Sequence, residues 1–502
     1  MNKLLFEVWS RWFRLRAPRH VGLVGVALGG WVAASAVLAQ PVGLSPALDT
    51  APTHATVPGQ WVAPLPTASR GSDAAALTAW WQRLNDPVLT RLMGWAQQAS
   101  PDLASARTRL MQARAGSVAA GAALGPQVDA QLSAQRTRPD LVTPVLTSAS
   151  GGLSASWALD LSGGQRAARD AAGARLDVAQ AAWHEARVAV AVSTAGLYFN
   201  LRACEAQAAL DQAEVWSREA TARVVDQSSR AGMDASAQAR MTEALAAQAR
   251  ATWAARILQC AQGRHALAAL TAVPEATLRD ALAPGQAQLP APVGLAVPEV
   301  PAAVLAQRPD VFRAERLVQA ATADVKVQDA EHLPRIALAG SLSALGVRTQ
   351  GATTNGSVWS IGPLQITLPV FDGGRRAAQS DASRAAYDEA TTAYAATLRQ
   401  AVREVEEALL RIHTGQQRSA ELQQALAGFD AAARAADARW QAGLANRLEL
   451  EDARRQVLAM QAAELAQRKD TLDAWVALYT ALGGGWTPDV QAQSLTQTQS
   501  RP

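Results

Sequence analysis

The chain has 502 residues, 49% of them hydrophobic but only 5% aromatic, with a formal net charge of +4. Ala dominates the apolar share and Gln and Arg are interspersed, a composition that excludes wholesale disorder and suits long helices better than a compact enzyme. The basic balance does not indicate a nucleic-acid partner, because the surplus sits in the first residues.

Residues 1–39 read as a secretory signal. Lys3, Arg11, Arg14, Arg16 and Arg19 stand against one acid, Glu7, ahead of an apolar run from Val21 to Ala36 and a cleavage box Val37-Leu38-Ala39. An uncleaved inner-membrane anchor is the alternative, since the run is nearly long enough to span; either way the body is exported. Removing the signal leaves a chain near neutrality, so nucleic-acid binding loses its main support. No later segment approaches about 18 uninterrupted apolar residues, and any further membrane crossing must be made of β-strands.

After an extended segment (40–74), one unit is used twice. Ser100-Pro101-Asp102-Leu103 recurs as Arg308-Pro309-Asp310-Val311, offset 208; Gly125-Pro126 as Leu333-Pro334, offset 208; Gly163-Gly164-Gln165-Arg166 as Gly373-Gly374-Arg375-Arg376, offset 210; and Ala231-Gly232-Met233 as Ala442-Gly443-Leu444, offset 211. Landmarks kept in order with so little drift indicate an internal duplication, residues 75–272 and 302–486, joined by a Pro-rich connector (273–301) and followed by a polar tail (487–502).

Each unit opens with a helix, about Ala75 to Leu124 and Ala302 to Leu333, ended by proline. A β-hairpin follows, 127–161 and 335–371. In the first, Val128, Ala130, Leu132 and Ala134 alternate with polar residues and Leu153, Ala155, Trp157 and Leu159 return; in the second, Ile336, Leu338, Gly340 and Leu342 go out and Trp359, Ile361, Leu364, Ile366 and Leu368 return with a noisier alternation. Ser162 and Asp372 can cap the next helix. That helix runs about 68 residues without proline to Gly232 or Gly443, roughly 100 Å, and one so long needs a partner. The seams are Leu176, Trp183, Val190, Leu197, Leu201 and Tyr387, Tyr394, Leu398, Val402, Val405, Leu409, Ile412. Past each glycine the chain is helical again, to about Leu270 and Leu482, giving helical hairpins 163–272 and 373–482 with tips at 232 and 443.

Cys204 lies 28 residues before Gly232 and Cys260 lies 28 after it, so an antiparallel hairpin brings them level. In an oxidising periplasm that placement predicts a disulfide, with two buried free thiols as the alternative.

Two hairpins supply four strands, short of the eight or so a membrane barrel needs to close. Open strand edges in lipid cost several kcal/mol for each unsatisfied group, so the chain must oligomerise to make a pore. No catalytic or metal constellation stands out among the scattered histidines, and Gly163-Gly164 and Gly373-Gly374 lack the Lys-Ser/Thr of a phosphate loop. An enzyme is not expected, nor any cofactor or metal. The acidic run Glu404, Glu406, Glu407 reads as a solvated helix face.

Several stretches together resemble the TolC-type outer-membrane efflux proteins, in particular the NodT-like branch serving resistance-nodulation-division pumps. They are Trp80-Trp81 with Asp86-Pro87-Val88-Leu89, Trp157-Ala158-Leu159-Asp160-Leu161, Gln307-Arg308-Pro309-Asp310, Leu368-Pro369-Val370-Phe371-Asp372-Gly373-Gly374-Arg375, and the ending Leu478-Tyr479-Thr480-Ala481-Leu482-Gly483-Gly484-Gly485-Trp486. The resemblance implies a mainly α protein with a transmembrane β-barrel: a homotrimer whose 12-stranded barrel stands on a periplasmic helical tunnel. Its partners would be outer-membrane lipid, a periplasmic adaptor and an inner-membrane transporter.

By the same resemblance, Ala231, Gly232, Met233 and Ala442, Gly443, Leu444 match the family's adaptor-docking tips, although a helix turn wants Gly there in any case. Glu449 and Asp452, six and nine residues beyond Gly443, match acids that constrict the periplasmic aperture, with an ordinary solvated face as the alternative. Many members of the branch are lipoproteins, but Val37-Leu38-Ala39-Gln40 contains no Cys, and lipidation is not supported. A type I protein-secretion channel shares the fold and is the nearest rival reading. A pore-less coiled-coil adaptor would show one helical hairpin flanked by β-rich domains instead of two interleaved with amphipathic strands.

Overall fold

The computed structural model describes residues 57–66, 77, 79–138, 140–142, 144–298 and 301–486; the signal segment 1–39 and the tail 487–502 lie outside them. The first repeat contains α1 (Trp80–Arg83), α2 (Pro87–Ala99), α3 (Pro101–Ala122), β1 (Gln127–Thr137), β2 (Leu146–Leu159), α4 (Gly164–Arg230), α5 (Ser236–Thr271) and α6 (Glu275–Leu282). The second contains α7 (Pro301–Ala306), α8 (Pro309–Ala330), β3 (Arg335–Thr349), β4 (Ala352–Thr367), α9 (Arg375–Gln441) and α10 (Arg447–Ala481).

The single opening helix expected for each unit is broken. Pro87, Pro101 and Pro309 each start a new helix, because the residue before a proline is biased out of the α region while proline itself suits a first turn. Asp86 caps the second segment, accepting from the amides of Val88 (2.9 Å) and Leu89 (3.0 Å). The connector is likewise not plain coil, since Glu275–Leu282 is helical.

The four strands form one antiparallel sheet in the order β1-β2-β3-β4, whose outer members each leave one edge unpaired within the chain. Its register sorts side chains by face. Ala130, Leu153, Leu342 and Trp359 lie in one row, and Trp157, Leu338 and Leu364 in another, all on the same side. The opposite side carries Asp129, Ser154, Ser341 and Ser360 in a row, with hydroxyl pairs Ser133–Ser150 at 2.6 Å and Ser341–Ser360 at 2.8 Å. The noisier pattern of the second hairpin has a local cause: a bulge between Leu338 and Gly340, opposite Gly362-Pro363, lets Ile361 and Leu364 share a face although three residues apart. Gln350 and Gly351 turn β3 into β4, both with positive φ (48° and 89°), as a two-residue hairpin of matching twist requires.

In the helical unit, α4 pairs with α5 and α9 with α10. Val190, Leu201, Leu398, Val405, Leu409 and Ile412 of the expected seams are buried. Cys204 of α4 and Cys260 of α5 are joined by a disulfide, S–S 2.01 Å. Trp80 stacks on Tyr479 with centroids 5.2 Å apart and Trp81 meets the same ring edge-on at 5.0 Å. The Trp80 indole donates to the Val293 carbonyl (3.0 Å), and the Tyr198 hydroxyl donates to Asp86 (2.7 Å). The Trp and Asp-Pro residues near the chain start therefore fasten α1 and α2 to helices of both repeats.

The acidic run on α9 is not a solvated face. Glu404 binds Arg308 (2.6 Å), and the two oxygens of Glu406 accept the backbone amides of Val62 (2.7 Å) and Ala63 (2.8 Å), pinning the N-terminal segment. Glu407 alone faces outward among arginines, pairing with Arg403 and Arg411 of its own helix. Spacing along one helix could not reveal these partners, which arrive from elsewhere in the chain.

Candidate functional site

Both tips are built the same way from backbone hydrogen bonds. At the first, Gly232 (φ 76°) donates to Ser229 (2.9 Å) and Met233 to Ser228 (3.0 Å); at the second, Gly443 (φ 73°) donates to Trp440 (3.0 Å) and Leu444 to Arg439 (2.8 Å). This pairing is the Schellman ending of a helix, whose left-handed residue favours glycine. In that motif the apolar residue after the glycine commonly packs back on its own helix. Here Met233 and Leu444 are 75% and 72% exposed. Turn chemistry thus accounts for the glycines and leaves the two apolar residues unexplained.

Beyond the second tip, Asn446 caps α10 by accepting from the Glu449 amide (2.8 Å). Glu449 is exposed and lies 3.7 Å from Arg439 across the turn, and Asp452, also exposed, pairs with Arg455. The acid between them behaves differently. Glu451 is 2% exposed; it accepts from the Ser217 hydroxyl of α4 (2.7 Å) and lies within ion-pair range of Arg447 (3.5 Å) and Arg454 (3.3 Å). Arg455 reaches the same helix, donating to Ser217 and Thr221 at 3.2 Å each. Arg454 also binds Asp437 of α9 at 3.1 Å. The tip end of the second hairpin is therefore tied to the first by a shared polar network. Beside it runs a cleft of ≈ 770 Å³, lined among others by Trp216, Arg223, Arg434 and Glu451.

The spacing from Gly443 points to Glu449 and Asp452 and not to Glu451. The available signal was weak: on a helix Glu451 points away from its neighbours, next to Leu450, which is also buried. Glu451→Gln keeps the shape but removes the charge. Because hydrogen bonds to charged groups contribute about 2 kcal/mol, this variant should unfold at lower denaturant than wild type, whereas Asp452→Asn should leave the midpoint nearly unchanged.

Among the described residues no group of His, Cys, Asp and Glu could hold a metal ion, and no helix is long and apolar enough to cross a membrane. The sheet has the one apolar face that spanning by strands demands.

Two segments, residues 92–273 and 300–484, match the family model described as outer membrane efflux protein. The pyoverdine export outer membrane protein OpmQ of Pseudomonas aeruginosa is 30% identical over 86% of this chain and 92% of its own length. Nodulation protein T of Rhizobium leguminosarum bv. viciae is 27% identical over 84% of this chain and 86% of its own. The open state of the MtrE outer membrane channel of Neisseria gonorrhoeae superposes with a TM-score of 0.72 at 26% identity, covering 87% of this chain and 98% of that one. The chain belongs to the outer membrane efflux protein family. It is an outer-membrane channel component of an efflux pump, with the TolC-like fold of that family.

Proposed function

We propose that three copies of the chain close one 12-stranded barrel, three times the four strands of each sheet, and conduct small toxic molecules outward. The observation that carries this reading is the open sheet: it has two unpaired edges and one continuous apolar face, a combination that lipid tolerates only in a closed barrel. The helical hairpins then build a periplasmic tunnel. Met233 and Leu444, held out by Gly232 and Gly443 beside Ala231 and Ala442, are the apolar anchors of a periplasmic adaptor, which brings an inner-membrane transporter. Glu449 and Asp452 ring the narrow end, and the arginines beside them set how much of that charge the passage sees. The leader (1–39) directs export, and the barrel holds the chain in the outer membrane.

Planar-bilayer recording from the purified full chain tests this. Wild type should give discrete conductance steps and a preference for cations under a salt gradient, and Glu449→Gln with Asp452→Asn should shift the reversal potential toward zero. A protein that stays monomeric in detergent and conducts nothing would contradict the pore. Conductance with an unchanged reversal potential would remove only the role of the two acids.

A further inference from the structure

The apolar face of the sheet ends in charge at one end only. From the row of Ala130, Leu153, Leu342 and Trp359 the register runs on toward the hairpin turns and closes with a row of Arg136, Thr147, Arg348 and Thr353, on the same side and exposed at every position. Among the described strand residues these two arginines are the only charges on the apolar face, since Asp129 and Arg335 fall on the opposite side.

That row belongs to the end of the sheet away from the helix junctions, because β1 and β3 begin, and β2 and β4 end, next to helices. Trp157 and Thr147 are ten residues apart on β2, about 34 Å along the strand and about 26 Å along the membrane normal at the tilt of spanning barrels, which is the height of their apolar band. An arginine at that level stands at the interface, where facing lipid costs little. It still wants a partner. Among the described residues neither Arg136 nor Arg348 makes a hydrogen bond or an ion pair. The loop charges just beyond them are engaged: Arg138 donates to the Leu141 carbonyl (3.1 Å), and Asp140 accepts from the Val142 amide (2.8 Å).

We propose that Arg136 and Arg348 bind a phosphate of a phosphorylated glycolipid in the outer leaflet of the membrane. This rests on the reading that the apolar face meets lipid in a closed barrel and that the helices lie in the periplasm, which puts the hairpin turns at the outer surface. The two arginines stand on β1 and β3, two strand spacings or about 10 Å apart, with Thr147 of β2 between them. Their long side chains converge on one phosphate over β2, and the threonine hydroxyl donates to it as well. A guanidinium fork matches phosphate oxygens in pairs, and no carboxylate on this face competes for it. In the row beneath, Ala134, Ala149 and Gly346 carry nothing larger than a methyl group, so the head group settles against the strands and its acyl chains follow the apolar rows below. Free phosphate would gain nothing from that apolar floor.

Native mass spectrometry of the full chain, delipidated in detergent and titrated with diphosphoryl lipid A, tests the site. Wild type should retain the lipid, and Arg136→Gln with Arg348→Gln should retain about tenfold less while still forming conducting trimers. Arg136→Lys with Arg348→Lys keeps the charge but loses the fork, and should fall between the two. Lipid A stripped of its phosphates should bind wild type no better than the intact lipid binds the Gln pair. Equal retention by wild type and the Gln pair, equal retention of the two lipids, or displacement of lipid A by an equimolar amount of inorganic phosphate overturns the glycolipid site and leaves the barrel standing. A wild-type protein that neither trimerises nor conducts overturns the barrel reading and the site with it.

Discussion

Arg308→Met is expected to lower the unfolding free energy by about 4 kcal/mol, the loss typical of removing one member of a buried ion pair. The guanidinium is 5% exposed and joins three parts of the chain. It binds both oxygens of Asp310 at the start of α8 (3.0 and 2.7 Å), Glu404 of α9 (2.6 Å), and the Ala481 carbonyl at the end of α10 (2.8 Å). Methionine fills much of the volume but strands two carboxylates and one carbonyl, so the cost is electrostatic rather than a cavity. Denaturant unfolding of the purified protein, followed by helical circular dichroism, reads the loss; a change below about 1 kcal/mol would show the network to be dispensable. Acid adds a second check. Burial pushes the Asp310 carboxyl up, but the hydrogen bond and charge of Arg308, with the Val311 and Asp310 amides, outweigh it and hold the group below its ordinary 3.8. A carboxylate depressed in the folded state stabilises above its unfolded pKa and loses that contribution as pH falls through the folded value. Wild type should therefore lose this increment below pH 3.8, and Arg308→Met should lack that part of the acid response.

Arg308 also marks the limit of what the residues alone convey. The duplication, the long helices and the two tips were legible because each rests on local pattern: a heptad-like seam, an alternating strand, a glycine where a helix must turn. The breaks at Pro87, Pro101 and Pro309 were legible in principle, because the residue before a proline is biased out of the α region. What could not be read was partner choice. Glu404 and Glu406 sit within one turn of Glu407 in an acidic run, yet only a fold that brings Arg308 and the Val62-Ala63 amides to them separates structural from solvated acids. Glu451 likewise differs from Glu449 and Asp452 only because Ser217, remote in sequence, lies against it. The parity of β4 failed for a milder reason: one bulge suffices to move its apolar residues out of step.

Removing the disulfide with Cys204→Ser and Cys260→Ser is expected to cost about 4 kcal/mol, the chain-entropy value for a span of 56 residues. Two features set how much of this is realised. Cys260 is buried, so serine there adds a hydroxyl in need of a partner. Against that, Arg256–Asp211 (3.0 Å) and Arg250–Glu219 (2.9 Å) still bridge α4 and α5 on the tip side, though partly exposed pairs contribute little each. The second hairpin has no such staple, so the effect should be asymmetric. Hydrogen exchange in the double variant, or in wild type under reductant, should speed in α4 and α5 around residues 204 and 260 while α9 and α10 keep their protection. Equal melting of oxidised and reduced protein would mean that α4–α5 packing alone sets the hairpin's stability; faster exchange in both hairpins would mean that the first supports the second. The Ser217–Glu451 contact between α4 and α10 makes that last outcome a physical alternative. Combining Glu451→Gln with the cysteine variants separates the two: if the hairpins are coupled through this contact, faster exchange in α9 and α10 should follow the Glu451 change and not the disulfide.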